Sequence, residues 1–146
     1  MKSLSVIFVL LSMITFRSCG EAQAHSDVTL TLTPSYVEDT LYLTPVITYL
    51  GDNLTTFIYV NEMAYIERVE TDEEEVIYEH DDSGFDVDQR LELDEEDEVA
   101  GNTVVLEGIE PGFYVVHLVA DFSTELEEGM EQDFSHRMRQ TIEVRD

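Results

Sequence analysis

The sequence predicts an all-β fold, an immunoglobulin-like antiparallel β-sandwich of about eight strands behind an export leader. Three observations carry that expectation. Apolar residues from Val28 onward recur at every second position, turn residues punctuate the chain at a spacing of roughly 8 to 12, and Glu110 to Val116, EPGFYVV, has the spacing of a tyrosine corner.

Taken in order, DVTLTLTP sets Val28, Leu30 and Leu32 on one side and Thr29, Thr31 and Thr33 on the other, the pattern of a half-buried strand. LYLTPVITYL (Leu41 to Leu50) is rich in β-branched and aromatic residues. Its Pro45 has no N–H to give a neighbour, which places this strand at an edge or around a bulge. The turn residues Gly51 to Asn53 and the run TTFIYV after them read as its antiparallel partner. AYIERVE and EVIYE flank Thr71 to Glu74 as a hairpin, and VDQRLEL continues the alternation with Val87, Leu91 and Leu93 inward.

TVVLEG is a further short strand, and Pro111-Gly112 then turns the chain. FYVVHLVADF (Phe113 to Phe122) is apolar on both faces and reads as a central strand; its second face, with Phe113, Val115 and Val119, has to be covered or offered to a partner. Tyr114 stands two residues before inward-facing Val116, and Val116 and Ile47 take the places that cysteines fill in antibody domains. Ser123 to Phe134 reads as a long acidic connection carrying Leu126 and Met130. RMRQTIEV closes the chain, with Met138, Ile142 and Val144 alternating against Arg137, Arg139, Thr141 and Glu143.

Ahead of these strands, Lys2 and the apolar run Leu4 to Phe16 form a secretory leader. The run is too short to span roughly 30 Å of hydrocarbon as a helix. Two processing routes fit the residues beyond the run. Cleavage before Cys19 would give a lipoprotein with the thiol lipidated, although Arg17 sits where small or apolar residues are usual; cleavage after Ala22-Gln23-Ala24 would release a chain starting at His25. The expected division is a signal peptide over 1–24, or 1–18 for a lipoprotein, and one β-sandwich domain over 27–146. Both routes place that domain outside the cytoplasm, secreted or lipid-anchored at the cell envelope. Cys19 is the single cysteine, so no internal disulfide forms.

Charge narrows the partners. The first 18 residues hold Lys2 and Arg17 and no acid, so all 33 acids lie beyond them against five arginines, a balance of 5 − 33 = −28. Nucleic acid and anionic lipid would repel such a surface. Sixteen of the 33 acids fall between Glu70 and Glu98, where Arg90 is the one counter-charge.

HDDSGFDVDQRLE (His80 to Glu92) invites comparison with a calcium loop, but setting Gly84 at the sixth position puts Glu79 first and Arg90 twelfth, where an EF-hand needs Asp and Glu. A looser Ca2+ site from Asp81, Asp82, Asp86 and Asp88 competes with plain solvated loop charge. The four histidines His25, His80, His117 and His136 show no zinc spacing, no G-x-S-x-G elbow surrounds a serine, and no phosphate loop is present. No catalytic constellation and no cofactor motif is legible; the expectation is a binding protein.

The pieces ITYLGDN, TTFIYVNEMAYIERVETDEEEVIY, SGFDVDQRLEL and GIEPGFYVVHLVADF together resemble the BsuPI-like domain, named for a bacterial intracellular proteinase inhibitor. Asn53, Phe57, Tyr59, Tyr65, Gly84, Gln89 and the corner Pro111-Gly112-x-Tyr114 carry the resemblance over most of residues 28 to 144. It implies an immunoglobulin-like sandwich and, for the founding member, inhibition of a serine protease. The export leader implies an extracellular protease as partner here, with Leu126 or Met130 presented to it and Phe113 and Val115 as further contact candidates. The alternative from the acid-rich stretch is a calcium-stabilised envelope domain with a structural or adhesive role.

Overall fold

A computed structural model of the chain describes residues 22–127 and 129–146; the leader and Cys19 lie outside the described residues. Ten strands succeed one another: β1 (Val28–Val37), β2 (Thr40–Tyr49), β3 (Thr55–Val60), β4 (Ala64–Thr71), β5 (Val76–Glu79), β6 (Asp88–Leu93), β7 (Glu98–Ala100), β8 (Val104–Leu106), β9 (Gly112–Glu127) and β10 (Met130–Val144). They form an antiparallel β-sandwich of one four-stranded and one six-stranded sheet.

Each sheet is organised around one long strand with a shared edge. In the smaller sheet β1 runs along all of β2, whose other edge is divided between β8 at Leu41–Leu43 and β7 at Val46–Thr48. In the larger sheet β10 runs along all of β9, whose other edge is divided between β4 at Tyr114–Ala120 and β3 at Ser123 and Thr124. Hairpin partner β5 extends β4, and β6 extends β3.

The division explains Pro45, which the sequence placed at an edge or a bulge. β2 is interior, and Pro45 falls where its second neighbour changes from β8 to β7. Its carbonyl accepts the Gly101 N–H at 2.8 Å on that side, so the missing N–H faces the gap in the ladder. Close approach there also demands glycine, since a Cβ on Gly101 would lie 2.1 Å from the Ala64 carbonyl oxygen.

Three further expectations are corrected. β2 and β3 do not pair, because the chain leaves the smaller sheet after Tyr49 and enters the larger one at Thr55. Alternation tells which residues point inward, and it does not tell which sheet they belong to. The stretch Ser123–Phe134 is no connection either: β9 continues to Glu127 and β10 starts at Met130, giving one long hairpin. Its outer part lacks an apolar face to bury, which is why it resembles a loop in sequence. Val87, expected inward, is exposed just before β6, while Leu91 and Leu93 do face the core.

The core lies between the sheets. Leu41, Leu43 and Ile47 from β2 and Phe57, Ile66, Val69, Val116 and Leu118 from the larger sheet are wholly buried. Phe57 sits between Tyr49 at 5.2 Å and Phe122 at 5.3 Å, so one aromatic cluster joins the two sheets.

Tyrosine hydroxyls fix both passages from the smaller sheet to the larger. Tyr49 donates to the Asn53 carbonyl at 2.7 Å across the β2–β3 passage, and its ring lies so close to Gly51 that a Cβ there would overlap it. On the β8–β9 passage Tyr36 of β1 donates to the Ile109 carbonyl at 2.6 Å, and Tyr114 of β9 donates to the Glu110 carbonyl at 2.7 Å. The second bond has the geometry of a tyrosine corner, with Pro111 and Gly112 making the turn between donor and acceptor.

Candidate functional site

The outer face of the larger sheet holds a groove of about 1390 Å³. Its floor is Ile58 of β3, Tyr65 of β4, Asp121 and Ser123 of β9 and Asp133, Ser135 and Arg137 of β10; its wall is the connection from β5 to β6, residues 80–87. Strand alternation builds the floor, since Ala64, Ile66, Ala120 and Phe122 beside these residues point into the core.

A bulge supplies more charge. The β4–β9 register shifts between Ile66 and Arg68, leaving Glu67 as the extra residue, so that Glu67 and Arg68 both reach the outer face. On the β5 side the Glu67 carbonyl accepts the His80 N–H at 2.9 Å, which fixes where the β5–β6 connection leaves the sheet. His80 then stacks on Tyr65 with centroids 4.4 Å apart, and its Nε2 lies 3.2 Å from Asp82.

On the floor, β9 and β10 exchange two hydrogen bonds across strictly opposed positions. Ser123 donates to Asp133 at 2.5 Å, and Ser135 donates to Asp121 at 2.6 Å. Each hydroxyl thereby holds an aspartate that lines the groove. Eight carboxylates line it in all, from Glu62, Asp81, Asp82, Asp86, Asp88, Asp121, Glu131 and Asp133, against His80 and Arg137. Arg137 is already engaged by Glu67 at 3.2 Å. The Tyr65 phenol registers the result: burial pushes its pKa up to about 12, and the charges of Asp121, Glu67 and Asp82 add to the rise. Such a groove concentrates cations and cationic side chains.

Beside the groove, Glu70 of β4 joins two partners. Its Oε2 lies 3.1 Å from His117 Nε2 and its Oε1 2.9 Å from Arg68 Nε; the latter is a charge contact, because the Arg68 Nε–H has no aligned acceptor. The hydrogen bond to His117 first, and then Arg68, hold the Glu70 carboxyl below its ordinary range. His117 is thus on the second face of its strand, hydrogen-bonded to Glu70.

The residues singled out in the sequence fall in separate places. Asp81, Asp82, Asp86 and Asp88 all lie exposed along the groove wall, and Asp81 is turned back on its own loop, accepting the Ser83 N–H at 2.9 Å. Among the described residues no three acidic or histidine side chains converge as a metal site would need. Leu126 and Met130 sit at the tip of the β9–β10 hairpin, each 57% exposed. Phe113 and Val115 lie at the other end of β9, about 40 Å from the tip along the strand, so the two pairs form separate surfaces. On that second apolar face Val119 is wholly buried, flanked in register by Tyr65 and Arg137, whereas Phe113 is half exposed.

One residue was not singled out. Phe85, on the loop that walls the groove, is 95% exposed, the most exposed large apolar side chain among the described residues. Its signal is a lone aromatic inside the polar run DDSGFD. No protein-family model matches the chain, and no curated protein matches it.

Proposed function

We propose that the chain is a non-catalytic protein-binding domain, secreted or lipid-anchored through Cys19, that takes a lysine- and arginine-rich segment of a partner in the acidic groove. The observation that carries this reading is the charge of the groove: eight carboxylates line it, and its one arginine is held by Glu67. Phe85 adds an apolar anchor on the adjoining loop, the kind of exposed aromatic side chain that dominates binding energy once a partner covers it. Strand order supports it as well, because Asp121, Asp133 and Tyr65 are held on three hydrogen-bonded strands and need no rearrangement to present one surface.

The test is a titration of the purified domain with a lysine- and arginine-rich peptide and a neutral peptide of equal length. Binding of the basic peptide should weaken steeply between low salt and about 0.5 M salt, as screening requires. Asp121→Asn with Asp133→Asn should weaken it about tenfold, or about 1.4 kcal/mol, while the equal charge change Glu98→Gln with Glu107→Gln elsewhere should leave it within about twofold. Equal losses from both pairs would mean that bulk charge, not the groove, holds the peptide.

A second reading rests on the hairpin tip. Leu126 and Met130 project from an acidic ribbon beyond the core, as a side chain offered to a protease specificity pocket would. Together with the resemblance to BsuPI-like domains it makes the chain an inhibitor of an extracellular serine protease. Assays against secreted subtilisin-type proteases decide it, and an absence of inhibition at micromolar excess rejects it.

A further inference from the structure

The residues just before β1 are tied to the outer edge of the larger sheet. Gln23 forms a parallel bridge with Phe134, and its carbonyl accepts the Ser135 N–H at 3.1 Å. Two residues on, the His25 backbone nitrogen donates to His136 Nε2 at 2.9 Å, and His25 Nδ1 accepts the Asp27 N–H at 3.1 Å. The His25 ring packs edge-on against Phe134 with centroids 4.6 Å apart, and the His136 ring stacks on Phe122 at 5.7 Å. Since β9 occupies the other side of β10, this segment covers the free edge of β10 at Phe134 and Ser135.

Both imidazoles act as acceptors, and an accepting ring nitrogen carries no proton. His136 therefore holds its proton on Nδ1 and His25 on Nε2, each ring neutral. Protonating either one turns an acceptor into a donor aimed at a backbone N–H, so a hydrogen bond is replaced by a repulsive contact. Burial lowers both pKa values below the ordinary 6.5; the neighbouring His25 lowers His136 further, and Asp27 partly offsets the effect on His25. The other groups around the pair are the Tyr49 phenol of β2 and the uncharged Phe57 of β3, Ala120 and Phe122 of β9 and Phe134 of β10.

We propose that His25 and His136 form a proton-released latch, which holds the segment before β1 against β10 at neutral pH and frees it on acidification. Release uncovers the Phe134 ring and the Ser135 N–H on an edge strand, where an incoming extended segment can add. Linkage gives the sign. A folded-state pKa below the unfolded one means that the unfastened form binds more protons, so the latch is fully closed above about 6.5 and is lost as pH falls through the lower folded-state values. The latch requires the chain left by cleavage before Cys19, which keeps Gln23 and gives His25 a peptide N–H; cleavage after Ala24 would remove the Gln23 carbonyl that holds Ser135.

Amide hydrogen exchange on the folded chain beginning at Cys19, expressed as protection factors, tests the latch. Between about pH 7.5 and about pH 5, protection at His25, Asp27 and Ser135 should fall at least about tenfold, while Val116 and Leu118 of β9 keep theirs. His25→Asn with His136→Gln, which keeps neutral acceptors at both positions, should hold the segment equally at both pH values. Unchanged protection of the wild-type segment across the range would overturn the proposal, as would an equal acid loss in the double variant. The wild-type profile is decisive alone if the variant does not fold.

Discussion

The outer faces of the two sheets obey the same alternation and carry different chemistry. On the smaller sheet Thr29, Thr31, Thr33 and Ser35 of β1 stand opposite Thr48, Val46, Thr44 and Tyr42 of β2, a surface of hydroxyls and small apolar groups. On the larger sheet the corresponding positions are Tyr65, Arg68 and Glu70 of β4, Val119 and Asp121 of β9, and Ser135, Arg137 and Arg139 of β10. A chain with a formal charge of −26 thus keeps one face of its sandwich nearly uncharged. The larger sheet instead carries ion pairs, and the groove beside them gathers eight of the carboxylates.

That contrast concerns outer faces only, because the inner faces share one core. Phe57→Ala removes the ring that touches Tyr49 of one sheet and Phe122 of the other, and should cost about 3 to 5 kcal/mol, the largest single effect expected. Chemical denaturation should show one transition shifted to lower denaturant. Two separate transitions would mean that the sheets are not one cooperative body, and the comparison of their faces would lose its basis.

The sheets also contribute one tyrosine each to the passage between them. Tyr36→Phe and Tyr114→Phe should each cost about 1 kcal/mol, by loss of a hydrogen bond to adjacent carbonyls. Because both bonds fix the same segment, the double variant should depart from additivity, and a double-mutant cycle reads the difference. Midpoints unmoved by either change would show that the corner is incidental to stability.

How much of this could be read from the chain depends on distance in sequence. Period-two alternation located the strands, and the turn residues Thr71 to Glu74 gave the β4–β5 hairpin. The Tyr114 spacing anticipated a bond only four residues long, from its hydroxyl to Glu110. The groove was not legible, because it needs Tyr65, Asp121 and Asp133 on neighbouring strands, and alternation carries no information about strand order. The acidic ribbon beyond Thr124 resembled a loop because neither of its faces is apolar, and the three-residue β7 is too short to show a period. His25 gave no signal at all; its role depends on His136, 111 residues away.

Two titrations separate the outer face of the larger sheet from its edge. Glu70 has a lowered carboxyl pKa, so its contacts with His117 and Arg68 stabilise the fold above the ordinary 4.5 and are lost as pH falls through the folded-state value beneath it. Comparing wild type with Glu70→Gln, the stability difference should be present at neutral pH and close only below that ordinary value. The latch at the β10 edge opens at higher pH, so acidification should loosen the edge first and the face afterwards. Loss of both in one step would show that the edge and the face do not respond independently.

The smallest effect is expected from calcium, and it bears directly on what the acidic face is for. A resident ion would need several carboxylate oxygens converging at about 2.3 to 2.6 Å. Instead, Asp121 and Asp133 are fixed by serines, Asp81 by its own loop, and no three candidate ligands meet among the described residues. Millimolar calcium at constant ionic strength should therefore move the melting temperature no more than magnesium does, since both ions only screen the same carboxylates. A calcium-specific rise that grows with concentration, as binding to the native state alone produces, would mean that the aspartates of the groove wall rearrange around an ion. The groove would then be a calcium site, and its charge would no longer be available to a cationic partner.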